Sequence, residues 1–248
     1  MTPQSPLSDP GGRVRVWDLP LRLFHWLLVV AIALAFLSSE EDSTLNQWHV
    51  LSGWVAGLLI VFRIAWGFVG GEHARFSSFV RPSRVAHHIR ELLRGHPEPS
   101  LGHNALGALS VILLLLLVGA TVITGAILAE EIHELIAWVL LGLAVVHVGA
   151  VLVMSFLTGE NLVSAMMRGT KLSRLHPGGK HARSAGMAAI LITAFVLAGT
   201  VLGITSYDPE AFTLRSPEDY EHRGQSNSPR LSESDAEDLR RSRHERAE

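Results

Sequence analysis

The chain contains no cysteine. That excludes disulfides, iron–sulfur clusters and thiolate-bound haem or zinc, so any metal chemistry must rest on histidines and carboxylates. It does not fix the redox compartment. Net charge is also nearly absent: 21 Lys and Arg against 23 Asp and Glu give −2, and no overall basic bias points to nucleic acid. Charge is missing above all from long stretches. Hydrophobic residues make up 48% of the chain, bunched into runs with almost no ionisable group, which is the pattern of membrane helices.

Five such runs predict five spans: about Leu19 to Leu37, Trp48 to Gly71, Leu106 to Leu128, Glu130 to Leu157, and Ala185 to Ile204. Ala33-Leu34-Ala35 in the first run is compatible with a signal-peptide cleavage site. The long polar segment before it and the four spans after it favour an uncleaved helix instead. The loops alternate in sign. Arg13, Arg15 and Arg22 precede span one, and Glu40, Glu41 and Asp42 follow it. Arg75, Arg81, Arg84, Arg90 and Arg94 precede span three, Glu130 and Glu131 follow it, and Arg168, Lys171, Arg174, Lys180 and Arg183 precede span five. Positive loops stay cytoplasmic, which puts the N-terminus inside and the C-terminal tail outside. Apolar spacing at Val85, Ile89 and Leu92/Leu93 reads as a helix lying in the interface over 82–93. Residues 1–12 and 206–248 are polar and expected to be disordered.

Thirteen histidines remain to be explained. His133 and His147 lie fourteen positions apart in an apolar run, so they share a helix face and stand roughly 21 Å apart along its axis. One is therefore near each edge of a hydrocarbon core ~30 Å thick. The loop charges place His49 at the depth of His133, and His25 at the depth of His147. An intramembrane imidazole is costly and reads as functional. Two imidazoles from different helices at each of two depths suit haem iron, with one axial ligand per face. Taken singly, each histidine could instead be a polar residue bonded to a backbone carbonyl. A zinc site would need three or four ligands at one level, and each level offers two, or three if His103 counts with the inner pair. Gly53 and Gly57 follow His49 at steps of four, which means close helix packing or a groove for a flat cofactor. Arg63, fourteen residues after His49, either snorkels to the surface or pairs with a haem propionate. Trp26, Trp48, Trp66 and Trp138 fit an aromatic belt.

An ordered set of short motifs carries a resemblance. It comprises Val16-Trp17-Asp18 with Arg22 and His25-Trp26, His49 with Gly53, Arg63-Ile64-Ala65-Trp66-Gly67, and Arg75-Phe76. Gly102-His103-Asn104-Ala105-Leu106-Gly107, Thr124-Gly125, His133 with His147, and Met167-Arg168-Gly169-Thr170-Lys171 complete it. Over residues 13–173 the chain resembles the bacterial cytochrome b561 family, which includes the cytochrome b subunit of nickel–iron hydrogenases. The resemblance implies an all-α membrane protein: a four-helix transmembrane di-haem bundle, here extended by a fifth transmembrane helix. The domain reading is 1–12 disordered, 13–173 the di-haem domain, 174–205 a basic loop with the fifth helix, and 206–248 a tail.

Carried over residue by residue, the resemblance implies two haem b groups. His25 with His147 would hold the cytoplasmic-side haem, and His49 with His133 the outer one, with Arg63 a further cofactor contact and His103 non-ligating. The expected function is transmembrane electron transfer between the quinone pool (ubiquinone or menaquinone) and a cytochrome c or periplasmic redox enzyme. Two alternatives stand beside it. A superoxide:quinone oxidoreductase would need a positive funnel at the outer haem, whereas the outer loops are acidic. The other is a membrane anchor subunit of a hydrogenase-like complex, with or without haem.

Overall fold

The computed structural model describes residues 12–40, 45–79, 100–102 and 105–214. The interfacial helix expected over 82–93, His103, and the tail beyond residue 214 lie outside the described residues. A short strand β1 (Arg13–Arg15) leads into α1 (Leu19–Leu37), α2 (Gln47–Val69) and a single turn α3 (Phe76–Phe79). Next come α4 (Ala105–Ala126), α5 (Glu130–Thr158), the short α6 (Leu162–Arg168), β2 (Thr170–Leu172) and α7 (Met187–Tyr207). Five helices (α1, α2, α4, α5 and α7) are long and apolar enough to cross a bilayer. In lipid only a helix satisfies all of its own backbone polar groups within one segment, so apolar runs of this length have one available conformation.

Asp18 starts α1. Its carboxylate accepts from the Leu21 backbone N–H at 3.0 Å, with Pro20 in the first turn, where a missing N–H costs nothing. The other carboxylate oxygen accepts from Trp66 Nε1 at 3.0 Å and Gly71 N at 3.2 Å. One side chain thus caps α1 and ties it to the far end of α2. Trp66 is buried in that contact, so it does not belong to the lipid-facing belt expected for it, whereas Trp26 and Trp138 remain exposed.

α2 is the hub. It buries Ser52, Ala56, Ile60, Arg63, Trp66 and Gly67 and packs against α1, α4 and α7. α7 lies on it through Ala189 and Thr193. The end of α7 is pinned by Tyr207 Oη donating to the Ala126 carbonyl at 2.8 Å, and by Trp54 Nε1 donating to Asp208 at 3.0 Å. α5 packs along α4. Against α1 and α2 it makes no comparable packing, meeting them at points such as Phe36–Trp138, ring centroids 6.3 Å apart.

The basic end of the bundle is closed by a folded cap where loops were expected. β1 pairs antiparallel with β2, Arg13 opposite Leu172 and Arg15 opposite Thr170. On its other edge Ala182 N donates to the Arg15 carbonyl at 2.9 Å, and Arg183 exchanges bonds with Glu72. Beneath the cap Glu160 is buried between two partners, Lys171 Nζ at 2.9 Å and His176 Nε2 at 3.0 Å. Lys171 also donates to the Ser100 carbonyl at 2.7 Å. A charge this deep is tolerated when paired and hydrogen-bonded.

Candidate functional site

The structure brings two of the predicted histidines, His49 and His133, side by side. His49 opens α2 and His133 opens α5, and their ring centroids stand 6.0 Å apart with the planes inclined at 78°. Each ring is held from behind. His49 Nδ1 donates to the Ala35 carbonyl at 2.9 Å, and His133 Nδ1 donates to the Thr121 carbonyl at 2.9 Å. A carbonyl oxygen only accepts, so Nδ1 carries the proton and Nε2 of each ring is left as a bare lone pair. Metal-ligating imidazoles usually donate their other ring N–H in this way. At the other depth, His25 on α1 lies within electrostatic range of His147 on α5. His147 Nδ1 is 3.0 Å from Ser110 Oγ on α4.

Between the two levels the bundle is apolar. Leu140, seven residues from each α5 histidine, is buried with Ala31, Ala56, Ile60 and Val118. Arg63 does not snorkel. It is 1% exposed, its guanidinium sits 4.7 Å over the Phe76 ring, and the Asp18 carboxylate acts on it electrostatically. Arg22, one turn before His25, donates from Nη1 to the Arg168 carbonyl at 3.0 Å. Its buried Nε has no partner among the described residues. No group of three or more His, Cys, Asp or Glu gathers at one point among the described residues.

Residues 16–169 match the family model of prokaryotic cytochrome b561. The chain belongs to that family. It is accordingly a multi-pass membrane cytochrome of the b type, a haem-binding carrier of electrons. Three curated relatives share one description, probable Ni/Fe-hydrogenase B-type cytochrome subunit. That of Azotobacter vinelandii is 25% identical over 213 residues, covering 64% of this chain and 88% of the relative. That of Azotobacter chroococcum mcd 1 is 28% identical over 123 residues, 40% of this chain and 51% of the relative. That of Bradyrhizobium diazoefficiens is 22% identical over 214 residues, 65% and 87%. No solved structure matches the chain.

The residues present fit a b-type haem. Two imidazole nitrogens each about 2.0 Å from a shared metal, with about 1 Å more to each ring centre, put the centroids about 6 Å apart; His49 and His133 stand at that separation. A Cβ on Gly53, one turn after His49, would meet nothing within 4 Å. Gly57 is different: a Cβ there would press on Val122, so it serves α2–α4 packing. Several supporting groups are not visible as motifs. Gly125 is one: a Cβ would come within 3.0 Å of the His133 ring, so the glycine makes space for that imidazole. The Ala35 and Thr121 carbonyls are others, because any residue supplies a carbonyl. Ser110 could have been suspected as a hydroxyl in an otherwise aliphatic run.

Proposed function

We propose that this chain carries electrons across a bacterial inner membrane on two b-type haems, exchanging them with membrane quinone (ubiquinone or menaquinone) and a redox partner outside. His49 and His133 bind the outer haem, and His25 with His147 the cytoplasmic-side one. The observation that carries the reading is the His49–His133 pair, two imidazoles from different helices at 6.0 Å with both Nδ1 atoms committed to backbone carbonyls. Bound haem b supplies a reversible one-electron Fe(III)/Fe(II) couple. The paired histidines would hold the haem iron and leave it no open site for oxygen, and Leu140 and its neighbours would keep the space between the levels apolar. Arg63 contributes a buried positive charge at the basic end and is a contact for a haem propionate there. The N-terminus is cytoplasmic and the C-terminal tail periplasmic, because the basic loops cluster at one end.

The outer partner is a cytochrome c or a periplasmic redox enzyme. The names of the relatives favour one version, in which the chain is the membrane cytochrome of a hydrogenase-like complex. Proteoliposomes test the reading. With a quinol in the bilayer and ferricyanide outside, the wild type should turn over, and both His133→Ala and His147→Ala should abolish the flux. Undiminished flux in either variant would refute a route that uses both levels.

A further inference from the structure

The turn at Gly159 sends α6 back beside the end of α5, and the Leu162 N–H donates to Ser155 Oγ at 3.2 Å to hold it there. Between the two helices lies a cleft of about 960 Å³, large enough for part of an amphiphile. Its wall changes character along its length. Leu152 and Phe156 from α5, with Val163 and Met167 from α6, form the apolar part, and all four are exposed on the bundle's outer surface. Ser164 and Arg168 form the polar end. Arg168 is exposed, and its own carbonyl is fixed by Arg22. Among the described residues it is the one ionisable group on the wall, and none of the wall residues is a carboxylate. The nearby acids are engaged elsewhere: Glu160 is buried with Lys171 and His176, and Glu72 accepts from the Arg183 N–H.

We propose that this cleft binds one anionic phospholipid, with the headgroup phosphate at Arg168 and an acyl chain along Leu152, Phe156, Val163 and Met167. A cation at the polar end, on a backbone held by Arg22, selects an anion over a neutral amphiphile, and guanidinium matches phosphate oxygens in a two-pronged contact. The exposed cations Arg13 and Arg15, on the strand paired with Thr170–Leu172, reinforce the preference at longer range. The site is independent of the haem ligands.

Native mass spectrometry of the full chain, delipidated in detergent and titrated with phosphatidylglycerol or phosphatidylcholine, tests it. Phosphatidylglycerol should saturate at one tightly retained lipid per chain under conditions that retain no phosphatidylcholine. R168Q should weaken retention about fivefold, the factor for one basic residue at an anionic surface. S164W, which fills the cleft without touching the charge, should weaken it too. R174Q, on the same end but outside the cleft, should retain lipid like the wild type. Equal retention of the two lipids, uptake without a plateau, or equal losses in R174Q and R168Q would overturn the proposal. Displacement of the lipid by an equimolar short-chain quinone would overturn it in favour of a quinone site.

Discussion

Replacing Glu160 by Gln removes a charge while keeping the shape. In the native chain the Glu160 carboxylate accepts from Lys171 Nζ at 2.9 Å and His176 Nε2 at 3.0 Å, and all three residues are buried. Glu160→Gln leaves the Lys171 ammonium enclosed with no counter-charge. Breaking one side of a buried pair costs about 3–5 kcal/mol. For a chain of this size that corresponds to a fall in melting temperature of roughly 6–20 °C. Heating detergent-solubilised protein and following the monodisperse peak by size-exclusion chromatography measures it.

The pH dependence has a definite sign. Burial holds Lys171 below its ordinary value of 10.5, while the bond to Glu160 and its charge pull it back up. Without Glu160 the native-state value falls further, and the native variant binds fewer protons than the unfolded chain between that lowered value and 10.5. Stability therefore rises with pH across this window. The defect of Glu160→Gln should be full below the lowered value and shrink as pH climbs toward 10.5. A variant melting within about 2 °C of wild type, or a defect that grows with pH, would refute the reasoning.

Other expectations follow from the same contacts. Asp18→Ala removes the α1 cap and the bonds from Trp66 Nε1 and Gly71 N, and should destabilise by about 2–4 kcal/mol in thermal denaturation. Gly169→Ala places a side chain at φ +77° against Arg22 Nη1 and the Trp17 carbonyl. It should cost at least about 1–2 kcal/mol and loosen the β1–β2 cap, seen as faster amide exchange at Val16 and Trp17. Gly125→Ala pushes a methyl onto the His133 ring, so low-temperature absorption spectra should show one perturbed α-band component and one unchanged.

The five spans, their order and the depth of each histidine were legible because lipid leaves a long apolar run one conformation and because imidazole is rare in such runs. The shared depth of His49 and His133 followed from loop charges, with no knowledge of side-chain direction, and their pairing was what the family resemblance implied. The cap was not legible. Arg13 to Arg15 and Thr170 to Leu172 carry no strand pattern longer than three residues, and they pair across more than 150 positions of sequence. The Glu160–Lys171–His176 cluster was hidden for a related reason. Lys171 looked like one more loop cation, and only the turn after α5 brings a carboxylate to it. Trp66 was misplaced in the belt because its depth was readable, whereas the partner that draws its N–H inward, Asp18, lies 48 residues earlier. The tight turn that sets His133 against Thr121 uses Leu128 at φ 57°, a conformation leucine rarely adopts and no sequence pattern announces.

Haem content per chain, measured by pyridine haemochrome on purified histidine variants, bears most directly on the two-site arrangement. The wild type should hold two haems. His49→Ala, His133→Ala and the double variant of both should each hold one, because the two residues serve the same site. His25→Ala combined with His133→Ala should hold none. A wild type with a single haem, or a His49→Ala/His133→Ala double variant that loses both, would contradict the pairing.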